Sequence, residues 1–326
     1  MTAMSRVLIA AMLVTLSSGW AQTPADGSVR FQFQNNFWVN LHHFVRAEAR
    51  RRSFDAAPQM PAVDLSEKDR ATWNAALDAY APLAKLNLIF DTRLININNA
   101  LSTIADGAAS PTGAVEPEIA TALNLAAPIY RAHLWERHRR ENQRWIEEFA
   151  PKIESHSATL MKALAGAYHA NWPSAPIVVD LSCDSGPNLA YTTLGPPGTS
   201  GHTVIAPLKA MDPDVAFELA FHEASHTVDS QIMEALDGEA AKQHVKLPED
   251  LWHVLIFYTT GEVVKRELRK QNDPAYKPYA DHVNLYAAAG WQEIRAALER
   301  NWQPYLDGKA SFETAVHDLV RDAGQH

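Results

Sequence analysis

The stretch 222–226, which reads HEASH, constrains this chain more than any other segment. It lies within 214–237, a run that contains neither glycine nor proline. The apolar residues of this run recur at roughly helical spacing: Val215, Leu219, Val228 and Ile232. Asp212 is a suitable N-cap, and Pro213 suits the first helical position. We therefore predict one long, mostly buried helix that continues without a break to Leu236.

Two histidines of this stretch can bind one metal ion. His222 and His226 are four residues apart, so their side chains project from the same face of a helix. Imidazoles placed in this way can hold one Zn²⁺, and Glu223, rotated to the side, can reach a water on the metal without ligating it. The other interpretation is a helix with two solvated or core histidines. The apolar flanks argue against it, because burying unpaired histidine and glutamate is costly.

A catalytic zinc usually takes three protein ligands, so a third residue is needed. The pattern HExxHxxGxxH would supply another histidine, but here Asp229 stands at its glycine position and Ile232 at its last histidine position. We predict Glu262 instead, because it is one acid in the middle of the apolar, helix-compatible stretch 252–265. Gly261 beside it would allow a close approach to the motif helix.

Two alternatives to a metal-binding Glu262 remain open. Glu262 could form a salt bridge with Lys265 or Arg266 on its own helix. His253, nine residues earlier, could lie in the same cleft and act as the third ligand. Asp229, one turn after the second motif histidine, could orient that imidazole or be a polar surface residue.

These residues resemble the gluzincins, the zinc peptidases that join HExxH to a glutamate on a later helix. The resemblance covers about 175–265 and includes the order of a small sheet, the motif helix and a second helix. It implies three ligands for Zn²⁺: His222, His226 and Glu262. It also implies that Glu223 takes a proton from zinc-bound water during peptide hydrolysis. The edge strand, expected at 202–206, would pair with an extended peptide or protein substrate.

A gluzincin site also needs a group that stabilises the tetrahedral intermediate. Tyr258, one turn before Glu262, could donate a hydrogen bond to an oxyanion. Tyr279 and His282, which follow Pro278, could serve instead, since gluzincins often recruit a tyrosine or histidine from this region. The alternative for each of these side chains is a structural role, and a buried tyrosine that only packs is the commoner case.

The N-terminus has the features of a signal peptide. Arg6 precedes the apolar run 7–16, and small residues at Gly19 and Ala21 fit a signal-peptidase site after Ala21. The run is too short for a transmembrane helix. We therefore expect 1–21 to be removed, with no stable membrane insertion afterwards and a periplasmic or secreted location.

Charge and cysteine content narrow the functional classes further. The formal net charge is -9 at pH 7, which does not suit a nucleic-acid partner because phosphate binding needs a basic surface. Cys183 is the single cysteine, so the chain has no internal disulfide. We interpret Cys183 as a buried structural thiol rather than a nucleophile.

The pattern as a whole predicts a mainly α protein of the α+β class. The region 22–172 reads as helical, and 173–326 reads as a zincin-like catalytic region of a small sheet, the motif helix and further helices. Three β-branched or turn-flanked segments predict strands: 175–181, 191–194 and 202–206.

Within the helical region, caps and prolines mark the expected helix ends. Asn36 and Ser66 are suitable N-caps. Pro128 is expected to open a long helix, and Pro151 is expected to break or kink it. The polar stretch 22–34 precedes the first helix.

Three functions are compatible with this sequence. The first is an exported zinc metallopeptidase, and the second is a periplasmic zinc-binding protein without peptidase activity. The third is a helical interaction module in which HEASH is accidental. An open coordination position beside a cleft separates the first from the second, and metal content separates both from the third.

Overall fold

A small β-sheet separates the helices into two layers. In this computed structural model the described residues are 31–54, 56, 65–186, 190–194, 201–207, 213–270 and 275–324. The expected signal peptide, 1–21, and the expected cap Asp212 lie outside them. The observed class is mainly α with a four-stranded mixed sheet, so the predicted class is confirmed.

Four short strands form the sheet: β1 Phe31–Gln34, β2 Ile177–Leu181, β3 Ala190–Leu194 and β4 Gly201–Ile205. Their lateral order is β1-β2-β4-β3, with β1, β2 and β4 parallel and β3 antiparallel to β4. The prediction that 202–206 forms the edge strand is wrong, because β4 is paired on both sides. The strand beside β4 at that edge of the sheet is β3. Order along the chain does not determine lateral order, since a later strand can insert between two earlier ones.

The polar stretch 22–34 ends in a strand, β1, that the hydropathy pattern does not predict. Its four residues alternate as FQFQ. Phe31 and Phe33 pack on the core beneath one sheet face, while the Gln34 amide donates to Asp180 Oδ2 at 2.9 Å. A strand of four residues is too short to give a firm periodic signal.

One face of the sheet is covered by the first four helices: α1 Phe37–Ser53, α2 Glu67–Tyr80, α3 Thr92–Ser102 and α4 Pro117–Tyr130. Tyr191 and Val204 from the sheet belong to this core. The predicted caps are confirmed, because the Asn36 side chain accepts from the N–H of Trp38 and the Ser66 hydroxyl accepts from that of Asp69.

The other face carries the remaining helices: α5 Glu136–Tyr168, α6 Pro213–Ser225, α7 Asp229–Gln243, α8 Leu251–Lys270, α9 Tyr279–His282, α10 Leu285–Ala288, α11 Gln292–Ala297, α12 Gln303–Leu306 and α13 Phe312–Ala323. Ile177, Val179 and Ile205 of the sheet belong to their core. In the described part of the chain, no helix is long and apolar enough to cross a membrane.

Two prolines lie inside helices rather than at their ends. Pro128 is within α4, which leads through a π-helical turn, Arg131–Trp135, into α5, and α5 continues through Pro151. The predictions of a helix start at Pro128 and of a helix break at Pro151 are therefore wrong. A proline inside a helix costs about 3 kcal/mol. Burial of the apolar side chains on either side of Pro151 offsets this cost, at roughly 1.5–3 kcal/mol each. These are Trp145, Phe149 and Ile153.

The motif helix ends inside the HEASH stretch. α6 stops at Ser225 and α7 begins at Asp229, so the predicted continuous helix is wrong. The N–H groups of 226–228 bond to carbonyls three residues earlier, at 2.9–3.2 Å. This turn packs on β4, where a Cβ at Gly201 would lie 2.3 Å from Cγ2 of Thr227. The chain therefore forms a tighter turn against the sheet at 226–228 instead of another α-helical turn.

Helices α6 and α8 pack antiparallel at close range. Every fourth residue of one segment contacts every fourth residue of the other, in reverse order along the chain. The pairs are Glu218 with Gly261, His222 with Phe257, and His226 with His253. A Cβ at Gly261 would lie 3.2 Å from Glu218 Oε1 and 2.6 Å from Cβ of Pro278. The close approach expected at Gly261 is confirmed, and it depends on the missing side chain.

We predict that Gly261→Ala lowers the free energy of unfolding by about 1–3 kcal/mol, because the rigid Pro278 ring cannot rotate away from the added methyl. Gly238→Ala is the matched control, since Gly238 is exposed in α7 with no atom within 4 Å of its Cβ position. That substitution should stabilise the protein by roughly 0.5–1 kcal/mol. Chemical denaturation measures both, and equal effects of the two substitutions would contradict the packing argument.

Candidate metal centre

Three histidines meet where α6 ends against α8. His222 lies in the last turn of α6, His226 begins the turn that follows, and His253 lies in the first turn of α8. One nitrogen of each ring lies within 4.8 Å of one nitrogen of each other ring. The ring centroids are 5.0, 5.2 and 5.5 Å apart. Among the described residues, this is the one group of three or more metal-ligating side chains at such distances.

The donor set suits Zn²⁺. Tetrahedral zinc with Zn–N bonds of about 2.0–2.1 Å needs nitrogens roughly 3.4 Å apart, so small side-chain rotations would bring these rings to ligating distance. Burial lowers the pKa of His222 well below its ordinary value. Burial, helped by the neighbouring His226, lowers the pKa of His253 to about 4. Both rings are therefore neutral at neutral pH, the form that ligates a metal.

One ring nitrogen of His222 lacks a hydrogen-bond partner among the described residues. Its side chain is 2% exposed, and its Nδ1 is buried without a hydrogen-bond partner in the described part of the chain. The ring stacks on Phe257 with centroids 3.8 Å apart and an interplanar angle of 17°. An unsatisfied buried polar group costs about 1–3 kcal/mol, and a bound cation offers the imidazole a partner.

The other two histidines are half-buried, so the group is not sealed from solvent. His226 Nδ1 lies 3.3 Å from Asp229 Oδ2, which leaves Nε2 for a metal. This is the orienting contact that the sequence left open for Asp229. Indole rings border the pair, with Trp252 centred 5.8 Å from His226 and Trp291 centred 6.0 Å from His253.

Glu223 lies next to the histidines but faces the sheet. Its side chain is buried, and Oε2 accepts a hydrogen bond from Thr192 Oγ1 at 2.9 Å. Burial raises its pKa, while the nearby His226 and the Thr192 hydrogen bond lower it in part. Its other oxygen, Oε1, has no hydrogen bond from the described residues. The effect of His226 on the Glu223 pKa indicates that the carboxylate lies near that imidazole.

Glu262 lies on the opposite side of α8 from His253. Nine residues at about 100° each amount to two and a half turns, so the two side chains point in opposite directions. Glu262 Oε1 accepts from Lys265 Nζ at 2.6 Å, the salt bridge that was the alternative role. Within the described residues, the structure brings His253 to the motif histidines and does not bring Glu262 to them.

Tyr258 also lies away from the histidine group. Its hydroxyl donates to Gln303 Oε1 at 2.6 Å, and burial raises its pKa. Together with Glu262 it lines a separate cavity of about 280 Å³. The hydroxyl is therefore committed to Gln303 rather than directed at the metal-ligating nitrogens.

Of the two downstream candidates, Tyr279 lies closer to the site than His282. His282 is exposed at the end of α9 and makes no contact with the three histidines in the described structure. Tyr279 is half-buried and packs on Phe257, with ring centroids 6.0 Å apart. Burial raises the pKa of Tyr279, and the carboxylates of Glu218 and Glu223 raise it further.

Glu218 anchors the start of α9 to α6. The Tyr276 hydroxyl donates to its carboxylate, and the Tyr279 N–H donates to Oε2 at 2.8 Å. Its other oxygen is buried without a partner among the described residues. Burial raises the pKa of Glu218 to about 7, although both tyrosine contacts oppose the rise. Glu218 is therefore a buried support for the site.

Two contributors were missed by sequence reasoning. Phe257 follows His253 by four residues, so helical spacing was a signal for it. Thr192 had no comparable signal, because only strand pairing and the packing of β3 on α6 bring it to Glu223.

Two further histidines and the cysteine have structural roles. His42 Nδ1 lies 3.1 Å from the Tyr80 hydroxyl, and His43 Nε2 lies 2.5 Å from the Tyr191 hydroxyl. Both rings are buried packing residues. Burial raises the pKa of Cys183 to about 12, so its thiol stays protonated and is a poor nucleophile.

No protein-family model, curated protein or solved structure matches this chain. The gluzincin resemblance therefore rests on the motif residues, and any functional inference rests on the geometry of the histidine group and Glu223.

We predict that His253→Ala weakens zinc binding at least about 100-fold, because a direct ligand is lost. Glu262→Gln should leave zinc affinity within about threefold, as should His282→Ala, the exposed histidine control. Isothermal titration of the metal-free proteins with Zn²⁺, supported by elemental analysis, measures this. Zinc binding that survives in His253→Ala and fails in Glu262→Gln would return Glu262 to the ligand set.

Proposed function

We propose that this chain is a zinc-dependent hydrolase of the metallopeptidase kind, with His222, His226 and His253 as ligands and Glu223 as general base. The observation that carries the proposal is the meeting of three imidazoles beside one buried carboxylate. A purely structural or storage site usually has a fourth protein ligand. Among the described residues no further histidine, cysteine, aspartate or glutamate joins the group, which favours an open coordination position.

The ligand set differs in charge from the one that the gluzincin resemblance implies. Replacing a glutamate ligand by His253 removes one negative charge from the metal's surroundings. A zinc ion in such a site lowers the pKa of water and polarises a carbonyl oxygen. With three neutral ligands the zinc site would carry a net charge of +2 instead of +1, which would strengthen both the lowering of the water's pKa and the polarisation of the carbonyl.

Glu223 suits the role of general base. Its burial raises its pKa towards the pH at which it would work, which is favourable for a group that must both take and give a proton. It would take a proton from the attacking water and pass it to the leaving amine. One of its oxygens is held by Thr192, and the other remains available for this transfer.

The position of β3 supports an extended peptide as the substrate. β3 is one of the two edge strands of the sheet, and its one neighbouring strand among the described residues is β4. A peptide can add to such an edge through main-chain hydrogen bonds. Thr192 lies at the centre of β3 and contacts Glu223, so a segment along this strand would pass close to the carboxylate.

We predict that Glu223→Gln retains one Zn²⁺ per chain and loses about 100-fold or more in peptidase rate, because general-base transfer contributes on the order of 10²–10⁴. The matched control is Glu234→Gln, an exposed carboxylate of α7. Zinc content and hydrolysis of a peptide library are measured together. A zinc-loaded wild type that hydrolyses no peptide would support the non-peptidase alternative, and absence of zinc would make the motif accidental.

We also propose export to the periplasm or the exterior, supported by the sequence features of 1–21. The mature chain should begin near Gln22. N-terminal sequencing of protein recovered from the periplasmic and external fractions measures this. Recovery of chains that still begin at Met1, held on membranes, would contradict it.

A further inference from the structure

Thr192 contacts Glu223 at two atoms. Its Oγ1 lies 2.9 Å from Oε2 of the carboxylate and 2.9 Å from the main-chain oxygen of the same residue. Among the described residues, no other hydrogen bond reaches the Glu223 carboxylate. The orientation of this carboxylate therefore depends on one hydroxyl from the edge strand β3.

The hydroxyls of two neighbouring strands form a hydrogen-bonded chain that reaches Glu223. Thr203 Oγ1, on β4, lies 2.8 Å from Thr192 Oγ1. A threonine hydroxyl has one proton to donate and can also accept, so Thr203 can donate to Thr192 while Thr192 donates onwards. The main-chain oxygen of Glu223 already accepts from the N–H of His226 at 3.2 Å. A carbonyl oxygen has two lone pairs, so Thr192 can donate to this oxygen or to the carboxylate, and its hydroxyl ties both to β3.

We propose that Thr192 is a positioning residue for hydrolysis, whose hydroxyl holds the Glu223 carboxylate in the orientation from which it takes a proton. This inference rests on the proposed function, since it assigns a role within that reaction. A general base must come within about 2.6–3.2 Å of the proton's heavy atom, and a glutamate side chain with several rotatable bonds does not hold such a position unaided. A strand paired to β4 supplies a rigid support.

The same strand would also align the substrate. If a peptide pairs with β3, the strand that holds the carboxylate through Thr192 also sets the position of the scissile bond. A single strand then positions both the general base and the scissile bond, which reduces the variation in the distance between them. Catalysis of this kind loses rate steeply when reacting groups are misplaced by about 1 Å.

Thr193 supplies a matched control on the opposite face of β3. It is buried like Thr192, but its hydroxyl donates to Asn99 Oδ1 at 2.8 Å, on α3. Valine at either position keeps the β-branched shape and removes one buried hydroxyl. A comparison of the two variants therefore separates loss of positioning from the general cost of losing a buried hydrogen bond.

The experiment compares the zinc-loaded wild type with Thr192→Val, Thr192→Ser and Thr193→Val. Zinc content, thermal unfolding, kcat and KM on a cleaved peptide are measured for each. We expect Thr192→Val to keep one zinc and a KM within about twofold while kcat falls at least about tenfold. Thr192→Ser, which restores the hydroxyl, should recover kcat to within about threefold, and Thr193→Val should keep it.

The outcomes separate this inference from the function on which it rests. An active wild type with an unchanged kcat in Thr192→Val overturns the positioning role and leaves the proposed function standing. Equal losses of kcat in Thr192→Val and Thr193→Val, or no recovery in Thr192→Ser, also overturn it. A zinc-loaded wild type without any hydrolysis overturns both. If Thr192→Val does not fold, the serine variant decides, because a positioning hydroxyl requires it to be active.

Discussion

The antiparallel contact between α6 and α8 is the interaction on which the candidate site depends. Both helices repeat a four-residue step, and Gly261 lets their axes come close at the level of Glu218. One step further along, Phe257 stacks on His222, and one step beyond that His253 meets His226. Because the register of the two helices is set at Gly261, the meeting of the imidazoles follows from packing some distance away.

The sheet supplies the second restraint on the same residues. The turn that follows α6 packs on β4 at Gly201. The helix therefore ends at Ser225, one residue before the second motif histidine. β3 holds the Glu223 side chain through Thr192. The histidines are thus positioned from α8 and the carboxylate from the sheet, so the two chemical functions of the motif have separate supports.

Burial gives these groups their electrostatic character. Glu218, His222 and Glu223 are 1%, 2% and 4% exposed, and they lie within two turns of one helix. Loss of water disfavours the charged form of each group, which raises the pKa of the carboxyls and lowers that of the imidazole. A neutral imidazole ready to ligate and a carboxylate with increased proton affinity both follow from this low-dielectric setting.

The sequence alone determined those features that depend on residues close together along the chain. The caps at Asn36 and Ser66, the three later strands and the shared side of His222 and His226 follow from spacing and residue type. Tertiary structure decided the third candidate ligand, the edge strand and the end of α6. His253 and Glu262 occupy equally helical positions, and only the face that α8 turns towards α6 distinguishes them. Likewise β4 and β3 have similar strand signals, but lateral order depends on hydrogen bonding between segments distant in sequence. Periodicity specifies direction within one element, whereas the pairing of elements is decided by the packing of surfaces that no local pattern encodes.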